Sequence, residues 1–84
     1  MAQVTVTISN MTFNPDPVEV KAGDTVVWSN QDRMAHTATA DDDSFDTGKI
    51  APKATSKPIS FSKAGDVPYH CEIPPSMTGT VQVS

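Results

Sequence analysis

Val4-Thr5-Val6-Thr7-Ile8-Ser9 sets a branched apolar side chain at every second position, with a hydroxyl after each. A period of two is the mark of a strand with one face in a core and the other in water. Val18-Glu19-Val20 repeats it, and residues 25–30 form a third such segment around the lone Trp28. Met11-Thr12-Phe13, residues 36–40, 58–62 and 67–71, and finally 79–83 read as further extended pieces. Turn residues separate them: Ser9-Asn10, the stiff Asn14-Pro15-Asp16-Pro17, Lys21-Ala22-Gly23-Asp24 and Lys63-Ala64-Gly65-Asp66. Residues 41–58 lose the alternation, and an irregular loop with one helical turn is expected there. Nine Val and ten Thr without a single Leu suit a pleated surface rather than a helical bundle. The expectation is all-β: a Greek-key antiparallel β-sandwich of seven to eight strands, with residues 1–84 as one domain.

Composition removes several function classes. A formal charge of −4 argues against nucleic acid as a partner. No apolar run approaches the ~20 residues of a membrane-spanning helix. One cysteine makes no internal disulfide. The amino end, Met1-Ala2-Gln3-Val4, lacks a basic region followed by an apolar stretch, so no export signal is read there. Hydrolytic chemistry finds no support either. Glu19 and Glu72 are the only glutamates and have no evident acid–base partner, and no two glycines lie closer than fourteen residues, which rules out a glycine-rich phosphate loop. The expectation is that this is not an enzyme.

The chemistry concentrates in Tyr69-His70-Cys71-Glu72-Ile73-Pro74-Pro75-Ser76-Met77. A thiol closes one strand, a thioether opens the next, and two prolines stiffen the connection. A Greek key can deliver His36 from a neighbouring strand to the same end of the sandwich. Thiolate, thioether and imidazole together select copper, above all the cuprous ion, over hard cations. His70 is the tempting extra ligand, but strand neighbours point to opposite faces, so His70 turns away if Cys71 faces a metal. Thr37, next to His36, is placed to donate a hydrogen bond that draws electron density from the sulfur. Each residue also has a plainer reading: Cys71 as a buried thiol, His36 as a surface histidine, Met77 as a plug at the sandwich end.

The chain resembles the cupredoxins, the type 1 blue copper proteins, in their amicyanin and plastocyanin group. The resemblance runs through Phe13-Asn14-Pro15, Val20-Lys21-Ala22-Gly23-Asp24-Thr25-Val26, Trp28-Ser29-Asn30-Gln31-Asp32 and Met34-Ala35-His36-Thr37. It continues through Ala64-Gly65-Asp66, Tyr69-His70-Cys71 and Met77-Thr78-Gly79-Thr80-Val81. It implies a sandwich with one copper, Cu(I)/Cu(II), held by His36, Cys71 and Met77, in a small soluble periplasmic or thylakoid-lumen-like protein. Such a protein shuttles single electrons, as a monomer, between transient donor and acceptor redox proteins. The resemblance also places a second histidine ligand three residues after the cysteine, where this chain has Pro74. Proline has no side-chain donor, so an impaired copper site is expected, with cupric ion held weakly and the potential raised. Two rival readings remain at this point: a module that holds or delivers Cu(I), and a metal-free interaction sandwich. Charge is uneven, with Asp41, Asp42, Asp43 and Asp46 on one side of Lys49, Lys53, Lys57 and Lys63. That asymmetry suits either a docking face or a solvated loop.

Overall fold

A computed structural model describes residues 2–73 and 75–84. Among these residues eight strands follow in order: β1 (Gln3–Ser9), β2 (Thr12–Asn14), β3 (Val18–Val20), β4 (Thr25–Asn30), β5 (Thr39–Ala40), β6 (Ile59–Ser60), β7 (Gly65–His70) and β8 (Thr78–Val83). They form two four-stranded sheets, ordered β2-β1-β4-β6 and β3-β8-β7-β5. All four sheet edges are strands of two or three residues, which leaves little unpaired backbone to recruit another chain.

The all-β sandwich matches the expectation, but the pairing is mixed rather than wholly antiparallel. β1 lies parallel to β4, and β3 lies parallel to β8. The chain crosses to the second sheet for β3 and then returns beside β1, and such a crossover delivers the returning strand in the same direction. Alternation reports which face a strand buries and says nothing of its neighbour's direction. Two smaller expectations also shift. Among the described residues the 41–58 segment contains no helical turn, and only Thr39–Ala40 of the 36–40 segment joins a sheet, His36 being tied by an isolated bridge to Ile50. The turn expected at 63–66 is shorter, because Gly65 and Asp66 already pair with Val83 and Gln82.

Val6, Ile8, Val26 and Trp28 from one sheet meet Val18, Val20, Tyr69, Val81 and Val83 from the other. Aromatic rings fill the centre. Tyr69 meets Phe13 edge-on at 4.7 Å and Trp28 edge-on at 5.4 Å between ring centroids, and Trp28 stacks on Phe45 at 5.4 Å. Contacts of this geometry add about 0.5–1.5 kcal/mol each beyond simple burial. This core gives the end of the sandwich carrying His36 and Cys71 a rigid floor, since Cys71, Met77 and Ala38 belong to the same buried cluster.

Candidate metal centre

Two long-range deliveries build the site. The first starts where β4 ends. Asn30 is fully buried, and its side-chain Nδ2 donates to the carbonyls of Met34 (2.8 Å) and Ile50 (2.9 Å), while its Oδ1 accepts the Asp32 amide (2.9 Å). These bonds fold residues 31–35 into a tight loop. His36 then exchanges backbone hydrogen bonds with Ile50 at 3.2 and 2.7 Å, which locks its main chain.

The His36 ring is wholly buried. Its Nε2 lies 2.9 Å from the Asp32 carboxylate. That carboxylate also accepts the amides of Asn10 (2.8 Å) and Met11 (3.0 Å), the two left-handed residues of the β1–β2 turn. Partial burial works to raise the Asp32 pKa, but the amides of Met11 and Asn10, with the His36 contact, outweigh it and hold the carboxyl below its ordinary value. Both ring nitrogens face acceptors, Asp32 at Nε2 and the Ile73 carbonyl 3.2 Å from Nδ1, and a metal bound at Nδ1 would place the ring proton on Nε2 against Asp32.

The second delivery is Cys71, one residue beyond β7 and fully buried. Its amide donates to the Met77 carbonyl at 2.9 Å, so the two sulfur residues flank one closed loop. The Sγ atom lies 3.6 Å from His36 Nδ1. It receives amide hydrogen bonds from Thr37 (3.4 Å) and Ile73 (3.3 Å) and donates its own proton to the Ile73 carbonyl at 2.9 Å. Met77 is buried in the same cluster. His70 lies apart from this pair. It hydrogen-bonds Asp41 at 2.7 Å and reaches Glu72 at 3.4 Å on an exposed face, and the Asp41 bond foremost raises its pKa. Pro74 lies outside the described residues, so the reading of a lost ligand there remains one of sequence.

The donors suit a transition metal. For bonds of about 2.3 Å to sulfur and 2.0–2.1 Å to nitrogen, tetrahedral to trigonal angles set the two donor atoms about 3.5–3.8 Å apart. The observed 3.6 Å lies in that range, with the Ile73 carbonyl turned toward both donors, 2.9 Å from Sγ and 3.2 Å from Nδ1. Among the described residues no cluster of three or more His, Cys, Asp and Glu side chains could hold a metal, so any third protein donor must come from another residue type. The candidate named by the sequence is the thioether of Met77, whose carbonyl bonds the Cys71 amide, and a thioether is a soft ligand that copper accepts. Sequence reasoning proposed His36, Cys71 and Met77, of which the structure brings the first two side chains together, but it missed Asn30 and Asp32, whose roles appear only once the 31–35 loop closes. The i, i+4 spacing of Asp32 and His36 was the one available signal.

A sandwich with a buried cysteine and histidine meeting at one end defines a class. The family model for copper binding proteins of the plastocyanin/azurin family matches residues 1–84, and the chain belongs to that family. Its cofactor is copper. Amicyanin of Paracoccus denitrificans is 32% identical over 84 residues, covering 95% of this chain and 64% of that protein. Amicyanin of Paracoccus versutus is 34% identical over 85 residues with the same coverage. The chain thus spans just under two thirds of the length of these curated relatives. Among solved structures, an oxidised amicyanin mutant superimposes with a TM-score of 0.87 at 27% identity, over 96% of this chain and 81% of that one. The Cu(I) form of another amicyanin mutant does so with a TM-score of 0.87 at 28% identity and the same coverage. No helix among the described residues is long and apolar enough to cross a membrane.

Proposed function

We propose that this chain is a periplasmic one-electron carrier, not a catalyst, whose copper is held by His36, Cys71 and Met77. The observation that carries the reading is the buried 3.6 Å approach of Cys71 Sγ to His36 Nδ1, with each partner oriented by its own hydrogen bonds. Copper supplies a one-electron couple when bound. The chain's residues supply the rest. Asp32 would take the Nε2 proton and so free Nδ1 for the metal, the Thr37 and Ile73 amides draw electron density from the sulfur, and the aromatic floor resists movement when the charge changes. Amide donors to a thiolate favour the electron-rich reduced state, and Pro74 in place of an imidazole favours it further, because cuprous ion tolerates low coordination.

Ile73 offers the exit. Its amide and carbonyl both touch Sγ, and its side chain is exposed, so a transient redox partner docking there comes within one residue of the sulfur. The carrier works as a monomer between donor and acceptor proteins. Addition of cupric salt under anaerobic conditions tests the reading. Visible sulfur-to-copper absorption that disappears and returns through reduction and reoxidation, and is lost in Cys71→Ser, is expected. Copper uptake that is equal in Cys71→Ser and the parent overturns it.

A further inference from the structure

Three polar side chains behind the sulfur form a chain that the ligand set does not use. Thr37 and Thr39 are both buried, at 4% and 3% exposure, in a core where valine has nearly the same shape. The Glu72 amide donates to Thr37 Oγ1 at 2.8 Å. Thr37 Oγ1 lies 3.2 Å from Thr39 Oγ1, and Thr39 Oγ1 donates to Asp46 Oδ1 at 3.1 Å. Asp46 is itself held by the Gly48 amide on the same oxygen, at 2.8 Å, and by the bridge between residues 39 and 46.

Only one proton arrangement fills every link. The Asp46 carboxylate accepts, so Thr39 gives it its single proton and must accept from Thr37. Thr37 then has only lone pairs left for Glu72. Every donor points the same way, from the ligand loop to the acid, and aligned hydrogen bonds polarise one another. Thr37 is β-branched and stiff at χ1, so anchoring its hydroxyl also fixes its backbone. That backbone amide is the one directed at Cys71 Sγ, and Glu72 is the residue after Cys71.

We propose that Thr37, Thr39 and Asp46 act as a hydroxyl relay that positions the Thr37 amide on the Cys71 sulfur and thereby tunes the copper centre. The proposal rests on the ligand reading given above, but its first test does not need metal. Thr39→Val cuts the relay with little change of shape, and Thr39→Ser keeps it. In the metal-free full chain, Thr39→Val leaves the Thr37 hydroxyl without its acceptor, so the Glu72 amide bonded to that hydroxyl exchanges roughly threefold faster, while amides of β1 and β4 keep their rates. Thr39→Ser restores the parent rate at Glu72.

The second test uses copper-loaded protein. Thr39→Val shifts the sulfur-to-copper absorption and lowers the reduction potential, and Thr39→Ser returns both toward the parent. Unchanged Glu72 exchange in Thr39→Val overturns the relay, as does acceleration spread equally over all amides. Faster exchange at Glu72 with unaltered absorption and potential overturns the link to the sulfur. If the parent binds no more copper than Cys71→Ser, the ligand reading fails, and the exchange measurement still decides the relay.

Discussion

Replacing Gly79 with alanine tests the centre of the fold beneath the site. Gly79 faces Tyr69 across the β7–β8 ladder, and the tyrosine ring occupies the space where a side chain would begin. A Cβ at position 79 would lie 2.6 Å from Tyr69 Cζ, 2.7 Å from its hydroxyl oxygen and 3.0 Å from Cε1. Ordinary carbon contact needs about 3.5 Å or more, so the ring must retreat by nearly an ångström. It has nowhere to go, since Phe13, Trp28 and Phe45 surround it and it is 1% exposed. Overpacking of this kind costs about 1–3 kcal/mol. Loss of glycine's unfolded-state freedom offsets roughly 0.4–1 kcal/mol of that. The net loss of about 1–2 kcal/mol lowers the melting temperature of a domain this size by roughly 5–12 °C. Thermal melts of metal-free parent and variant, followed by circular dichroism, measure it. A Gly79→Ala protein that melts at or above the parent temperature refutes the packing argument.

Other expectations follow from single residues. Asn30→Ala removes three side-chain hydrogen bonds from a fully buried position, at a cost of about 2–3 kcal/mol, and a chemical denaturation midpoint that does not move contradicts the role given to it. Asp24 accepts the amides of Ala2 (2.8 Å) and Lys21 (3.0 Å), and these bonds hold its pKa below the usual carboxylate value. A depressed folded pKa adds stability that is complete above the unfolded value, near pH 4, and is lost as pH falls through the folded one. Asp24→Asn is therefore expected to flatten the acid side of a melting-temperature profile between pH 2 and 6. Pro74→His supplies an imidazole in the ligand loop, so stronger visible absorption and tighter cupric binding are expected in a titration, and a variant no more coloured than the parent contradicts the assignment of that position.

Much of the fold could be read from period-two alternation. Val4-Val6-Ile8 and Val18-Val20 each announced a strand and its inward face, and the structure buries Val6, Ile8, Val18 and Val20. The parallel pairs were illegible, because alternation is blind to the direction of a neighbour 20 or 60 residues away. Short pieces such as Thr39–Ala40 were overextended in the reading, since β-branched residues favour extended backbone whether or not a partner strand is present. At the site, residue chemistry singled out Cys71 and Met77 from one loop. The meeting of Cys71 with His36 bridges 35 positions and depends on how two sheets stack. The supporting residues were harder still. Asn30, Asp32, Thr39 and Asp46 are common surface and turn residues, and only the closed loop geometry turns their side chains into anchors.

The most direct test of the account is copper K-edge X-ray absorption on the copper-loaded protein, compared with Cys71→Ser and His36→Ala. The account predicts one short sulfur scatterer that vanishes in the first variant and an imidazole pattern that vanishes in the second. A spectrum built only from oxygen and nitrogen, unchanged in both variants, would contradict it.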